Sequence, residues 1–208
     1  MYSANNRRES HSRFKFRQLR FLRRAIIPAL MIALGAVSTY AQQGRDKKPP
    51  KDAISNLILV DQDGKRIDFY NDLVKGRVVA INFIYTTCNS VCPLQGNHFA
   101  RLQSMLGNRL GKEIALISIS ADPEADSPQK LKAWLSTFGA SQGWTFVTGE
   151  KTEIDRLSRA LTGDEARVGT HSPVLFIGNY DKGVWKRVYG LAEPERLTGM
   201  IVEMTADQ

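Results

Sequence analysis

Apolar residues recur along this chain with two periods, and the alternation between them sketches a fold before any chemistry is considered. Residues 57–60 are a short apolar run, Asp61-Gln62-Asp63-Gly64-Lys65 reads as a turn, and apolar side chains return at Ile67 and Phe69. That pattern predicts a β-hairpin. Residues 78–84 (VVAINFI) are almost continuously apolar and rich in β-branched side chains, as in a strand buried on both faces. A helix is expected over 93–106, opened by Pro93, with Phe99, Leu102 and Leu106 on one face. Residues 114–119 form a second buried strand. Ser127 or Asp126 then caps a helix whose first residue is Pro128 and whose Leu131, Trp134, Leu135 and Phe138 repeat at helical spacing.

The second half continues the alternation. A short strand is expected over 144–147, then a helix carrying Ile154, Leu157 and Leu161, begun by a capping box of Thr152 and Asp155. Residues 173–178 and 184–189 read as an antiparallel pair around the turn 179–183. The last helix starts at Pro194 and turns Leu197, Met200, Ile201 and Met204 inward. Strands alternating with helices, then a hairpin and a closing helix, predict an α/β thioredoxin-like sandwich: a central mixed sheet flanked by helices, with an N-terminal hairpin. Asp61 and Asp63 invite comparison with a calcium loop, but no glutamate follows at the spacing such a loop needs.

Charge changes the picture at one end only. The formal net charge is +8, yet residues 1–41 carry eight arginines and lysines against Glu9 alone, so the remainder is close to neutral. No basic groove is left to explain, which argues against nucleic-acid binding. The cationic stretch ends at Arg24, thirteen uncharged and mostly apolar residues follow over 25–37, and small residues stand at Thr39 and Ala41. Residues 1–41 therefore read as a signal peptide cleaved after Ala41, or as an N-terminal membrane anchor just long enough to span a bilayer. Arg23-Arg24 before the apolar run resembles a twin-arginine signal, and an arginine-rich, acid-poor start also suits a mitochondrial presequence. Residues 42–52 form a polar, proline-containing linker, and residues 53–208 the folded domain. The expected location is outside a reducing cytosol, on the periplasmic side of a cytoplasmic membrane or its equivalent, where a dithiol can be oxidised.

The candidate chemistry is concentrated in one turn. Cys88 and Cys92, the only cysteines, lie between the apolar strand and Pro93. They can close a disulfide, cycle as a redox dithiol, or hold a soft metal. Cys92 is expected in the first helical turn, where unpaired N–H groups should favour its thiolate. A metal would need a third ligand, and the chain offers three histidines. His11 falls in the targeting segment. His98 stands nearly two helical turns beyond Cys92 and points poorly back. His171 opens an apolar strand whose start faces the cysteine turn in a thioredoxin-like fold. Two thiolates and an imidazole suit Cu(I), and can also hold Cu(II), whereas zinc usually wants a fourth ligand. A peroxidase of the peroxiredoxin type would place Pro and Thr seven and three residues before its cysteine; Ile81 and Tyr85 stand there.

Thr87-Cys88-Asn89-Ser90-Val91-Cys92-Pro93, Asp122-Pro123-Glu124-Ala125-Asp126-Ser127-Pro128 and the pair His171-Ser172 together resemble the SCO/SenC family of copper-binding, thioredoxin-like proteins, over most of residues 54–204. The resemblance implies that Cys88, Cys92 and His171 bind copper. It implies a role in assembling the binuclear copper centre of a respiratory oxidase, by delivering copper, by reducing cysteines, or both. The implied partners are the copper-centre subunit of that oxidase and a thioredoxin-like reductant, met by a membrane-tethered or periplasmic protein. Thr170 stands where the family often has an aspartate, so a carboxylate that would orient the imidazole is missing. The competing reading is a thiol–disulfide oxidoreductase in which Cys88 and Cys92 cycle. The Asp122–Pro128 motif reads as a strand end and helix cap with no ligand role.

Overall fold

A computed structural model describes residues 48–165, 167–169 and 173–206. A single turn of helix, α1 (Lys51–Ile54), leads into the hairpin β1 (Ile58–Asp61) and β2 (Arg66–Asp68). Asp61 makes the turn: its Oδ1 accepts the N–H groups of Asp63 and Lys65, both at 2.9 Å. Phe69 still donates its N–H to the Leu57 carbonyl across the hairpin at 2.9 Å, and there the ladder ends. Phe69 also begins a π-helical turn, Phe69–Val74, because the Asp68 carboxylate accepts the Asn71 N–H at 2.9 Å and captures the chain before it can continue as strand.

The rest alternates as the periodicity predicts. In order come β3 (Val78–Ile84), α2 (Val91–Leu106), β4 (Ile114–Ser120), α3 (Pro128–Ser136), β5 (Trp144–Thr148), α4 (Lys151–Thr162), β6 (Val174–Asn179), β7 (Val184–Tyr189) and α5 (Pro194–Ala206). The seven strands form one mixed sheet in the order β2-β1-β5-β4-β3-β6-β7. β3, β4 and β5 run parallel, and the hairpins β1–β2 and β6–β7 add antiparallel pairs at its two ends. This is the expected mixed sheet, flanked by helices, of a thioredoxin-like sandwich.

The central strands carry a core on each face, which is why their sequences show no polar alternation. Val79, Ile81 and Phe83 of β3 pack with Leu59, Phe69, Ile154 and Leu157 on one side. Val78, Ala80 and Ile84 pack on the other with Phe99 and Leu102 of α2, Trp134 of α3 and Leu197 and Ile201 of α5. Both cysteines belong to this second cluster. Gly96 lets α2 approach α3 closely: a Cβ there would lie 2.6 Å from the Phe138 ring.

The helix starts refine the sequence reading. Ser127, not Asp126, caps α3, accepting the Lys130 N–H at 3.4 Å with Pro128 in the first position. The expected capping box of α4 does not form. That helix begins at Lys151 after Glu150, with no side-chain cap bond, so Thr152 already lies inside it. Asp155 instead pairs with Lys151 across one turn at 2.6 Å.

Candidate metal centre

The dithiol turn is built where β3 runs out of sheet. The Ile84 carbonyl accepts the Ala121 N–H at 2.8 Å, the last pairing of β3 with the β4 side. The chain then turns back, and the Cys88 N–H donates to the Tyr85 carbonyl at 3.2 Å. α2 starts at Val91 with Ser90 before it, and the Ser90 side chain makes no cap bond. The N–H groups of the first turn are therefore open to another acceptor. That acceptor is a sulfur: the Cys92 N–H donates to Cys88 Sγ at 3.4 Å, and Ser90 Oγ lies 3.7 Å from the same atom.

This geometry reverses the expectation that Cys92 would carry the thiolate. Cys88 sits off the helix end, in line with the N–H groups that stabilise a negative charge. Cys92 lies one residue inside α2, with its side chain directed into the core and only 1% exposed. Burial raises the Cys88 pKa, but hydrogen bonds from the Cys92 side chain, from the backbone of Ser90 and Cys92 and from the Ser90 side chain outweigh it, bringing the thiol down to about 7. Burial pushes Cys92 up to about 12, reinforced by the Cys88 sulfur and by the charge of Asp126. Both residues are free thiols. The pair is thus one ionisable sulfur near neutral pH beside one that keeps its proton.

Three residues around the pair escaped the sequence reading. The Tyr85 hydroxyl hydrogen-bonds the Cys88 sulfur, which together with burial raises the phenol above its ordinary value, and it accepts the Gly169 N–H. Asp126, 1% exposed, turns inward. Its Oδ1 accepts the Thr86 N–H at 3.2 Å and the Thr86 hydroxyl at 2.5 Å, and its Oδ2 accepts the Ser120 hydroxyl at 2.6 Å. The sequence offered Asp126 only as an alternative cap for α3; with Ser127 in that place, its carboxylate turns to Thr86 and Ser120. Tyr85 and Thr86 read as the polar end of a strand, and only the fold brings them to the sulfur and the carboxylate.

Of the predicted ligands, Cys88 and Cys92 are brought together. His98 is engaged elsewhere, its Nδ1 lying 3.2 Å from the Ala192 carbonyl. His171, Thr170 and His11 lie outside the described residues, as does the segment 1–41. Among the described residues no group of three His, Cys, Asp or Glu side chains could hold a metal, and no helix is long and apolar enough to cross a membrane. The donor set that is described, two convergent sulfurs, fits a soft cation and leaves a third position to be filled.

A dithiol at the end of the central strand, opening a helix in a seven-stranded mixed sheet, defines a thioredoxin-like dithiol protein. Comparison with known proteins narrows the class. The SCO1/SenC family profile matches residues 45–205, and the chain belongs to that family. A Stutzerimonas stutzeri protein, named provisionally for copper binding, is 36% identical over 113 residues, which are 54% of this chain and 53% of its own. This chain spans about half the length of the curated relatives it matches first. BsSco, a Sco-family cytochrome c oxidase assembly protein with a disulfide switch, superposes with a TM-score of 0.65 at 24% identity, over 80% of this chain and 100% of BsSco. ScoI of Bradyrhizobium japonicum, with copper bound, gives 0.59 at 24% identity over 71% of this chain and 96% of its own. The two structural likenesses establish the shared fold.

Proposed function

We propose that the protein is a copper metallochaperone that binds copper through Cys88, Cys92 and His171 and helps assemble the binuclear copper centre of a respiratory oxidase. The observation that carries this reading is the convergence of two free thiols at the α2 N-terminus, one of them ionised near neutral pH. A thiolate already present gives a soft cation its first ligand without a proton cost, and the second sulfur follows when Cys92 releases its proton. The family and its copper-bound member support copper as the cargo. BsSco's role supports an oxidase as the destination. His171 supplies the imidazole in this reading, and residues 1–41 export or tether the domain on the periplasmic side, where a thioredoxin-like reductant keeps the dithiol ready. Anaerobic titration of the reduced protein with Cu(I), then Cu(II), tests it. One copper should bind tightly, and His171→Ala should lower the affinity at least tenfold; no tight binding by the wild type defeats the proposal.

The unequal thiols favour a second reading, a thiol–disulfide oxidoreductase. Here the Cys88 thiolate attacks a substrate disulfide, forms a mixed disulfide and expels one thiolate; Cys92 then attacks the Cys88 sulfur, closing its own disulfide and releasing the second thiol reduced. His171→Ala separates the readings, because it should remove tight copper binding while leaving this exchange intact.

A further inference from the structure

We propose that Thr86 and Asp126 form a latch that holds the dithiol turn in its closing geometry, with Asp126 acting as a positioning residue. The inference rests on reading Cys88 and Cys92 as the functional pair. Asp126 is a carboxylate with almost no access to water, and among the described residues no lysine or arginine pairs with it. Among those residues its charge is met by the Thr86 and Ser120 hydroxyls and the Thr86 N–H. Burying a charge this way costs stability, and replacing such a group by an apolar one is often neutral or better for folding. What the arrangement supplies is position.

The contacts run from the end of β4 to the dithiol turn. On one side Asp126 takes the hydroxyl of Ser120, the last residue of β4, and Ser120 Oγ also accepts the Asp122 N–H at 3.1 Å. The Asp126 N–H returns to the Asp122 carbonyl at 2.9 Å, so the carboxylate is fixed by the segment that carries it. On the other side it takes both donors of Thr86, the second residue before Cys88. Between Thr86 and the first turn of α2 the main chain closes one bond, from the Cys88 N–H to the Tyr85 carbonyl. The latch therefore ties the start of a short turn, just beyond β3, to the end of β4, while the turn's other end is the helix. It keeps Cys88 Sγ within reach of Cys92 and so removes conformational freedom that either disulfide closure or a shared cation would otherwise have to remove.

The test uses the whole protein carrying Thr86→Val, Thr86→Ser, Asp126→Asn, or Thr86→Val together with Asp126→Asn. Two equilibria are read: the Cu(I) affinity by competition, and the disulfide–dithiol equilibrium against glutathione, in which two glutathione thiols give up two electrons and two protons to reduce Cys88–Cys92. Thr86→Val should weaken both copper binding and disulfide closure about tenfold. Asp126→Asn keeps an acceptor oxygen but loses the charge, so it should weaken both by less than Thr86→Val, and the double variant should lose less than the two single losses combined, since both act on the Thr86 hydroxyl bond. Thr86→Ser keeps the hydroxyl and the N–H, so it should stay within twofold of wild type. If Asp126→Asn fails to fold, Thr86→Val and Thr86→Ser still decide the matter. Unchanged equilibria in Thr86→Val, equal losses in Thr86→Ser, or additive losses in the double variant overturn the latch. Failure of the wild type to bind copper defeats the proposed cargo instead, and leaves the glutathione equilibrium to judge the latch.

Discussion

Two cysteines four positions apart ionise differently, Cys88 at about 7 and Cys92 at about 12, and their placement at the helix start is the reason. Cys88 Sγ takes the Cys92 N–H at the open end of α2, whereas Cys92 is the more deeply buried of the two, 1% exposed against 8%. A thiol is neutral when protonated, so the lowered value means more thiolate at neutral pH. Alkylation of Cys88 by iodoacetamide should rise with pH through a midpoint of about 7. Cys92 should stay unreactive across the same range, as peptide mapping after partial modification will show. Preferential labelling of Cys92 at pH 7 would contradict the assignment. The sulfur that carries the charge could not be read from the spacing, because a Cys-x-x-x-Cys motif does not say where the helix begins. Cys92 does lie in the first turn, as expected, but the helix starts at Val91 rather than Pro93, and the open N–H groups there meet the Cys88 sulfur instead.

At the scale of elements, α2 depends on an absent side chain. Gly96 lies one turn beyond Cys92 and faces the Phe138 ring, which also packs on Trp134 at a centroid distance of 4.4 Å. Gly96→Ala ordinarily favours a helix by about 1 kcal/mol. Here the added methyl should overpack the contact and destabilise the protein by about 1–3 kcal/mol in urea denaturation. A stabilised Gly96→Ala variant would show that the Phe138 ring yields instead. The existence and type of the long elements were legible, since burial on two faces and helical spacing leave periodic marks. Their starts were less so. Ser127 and Asp126 are equally good caps by residue type, and only the neighbouring Thr86 and Ser120 turn one of them inward. The hydrogen bonds that stop β2 at Asp68 are equally invisible to a periodicity argument.

Across the whole domain, the polar chain entering before α1 is fastened beside the β6–β7 turn, next to the start of β3, whereas the dithiol follows that strand's other end. The Tyr180 hydroxyl donates to the Pro49 carbonyl at 3.2 Å, Lys48 Nζ donates to the Tyr180 carbonyl at 3.4 Å and stands 4.3 Å from the Tyr180 ring centre, and Tyr70 packs edge-on against Tyr180 at 5.3 Å. Removing the hydroxyl alone in Tyr180→Phe should cost about 1 kcal/mol in urea denaturation. Copper affinity should be unaffected, because the clasp and the dithiol are separated by the length of β3. A change in affinity would mean that the two ends of the strand communicate.

Sequence by itself determined the order and kind of the seven strands and of the helices α2 to α5, though not α1 or the π-helical turn, together with the double-sided burial of β3 and β4 and the placement of both cysteines at a strand-to-helix turn. These are encoded locally, in spacing and in which residue types tolerate a strand, a helix or a turn. Tertiary structure alone decided which thiol ionises, which of Asp126 and Ser127 caps α3, that Thr86 meets the Asp126 carboxylate, and that Tyr85 meets the Cys88 sulfur. Those outcomes depend on where a side chain points relative to groups as many as 40 positions away along the chain, as Thr86 and Asp126 are. A distance of that kind leaves no periodic trace, and it comes into being only when β3 and β4 lie side by side.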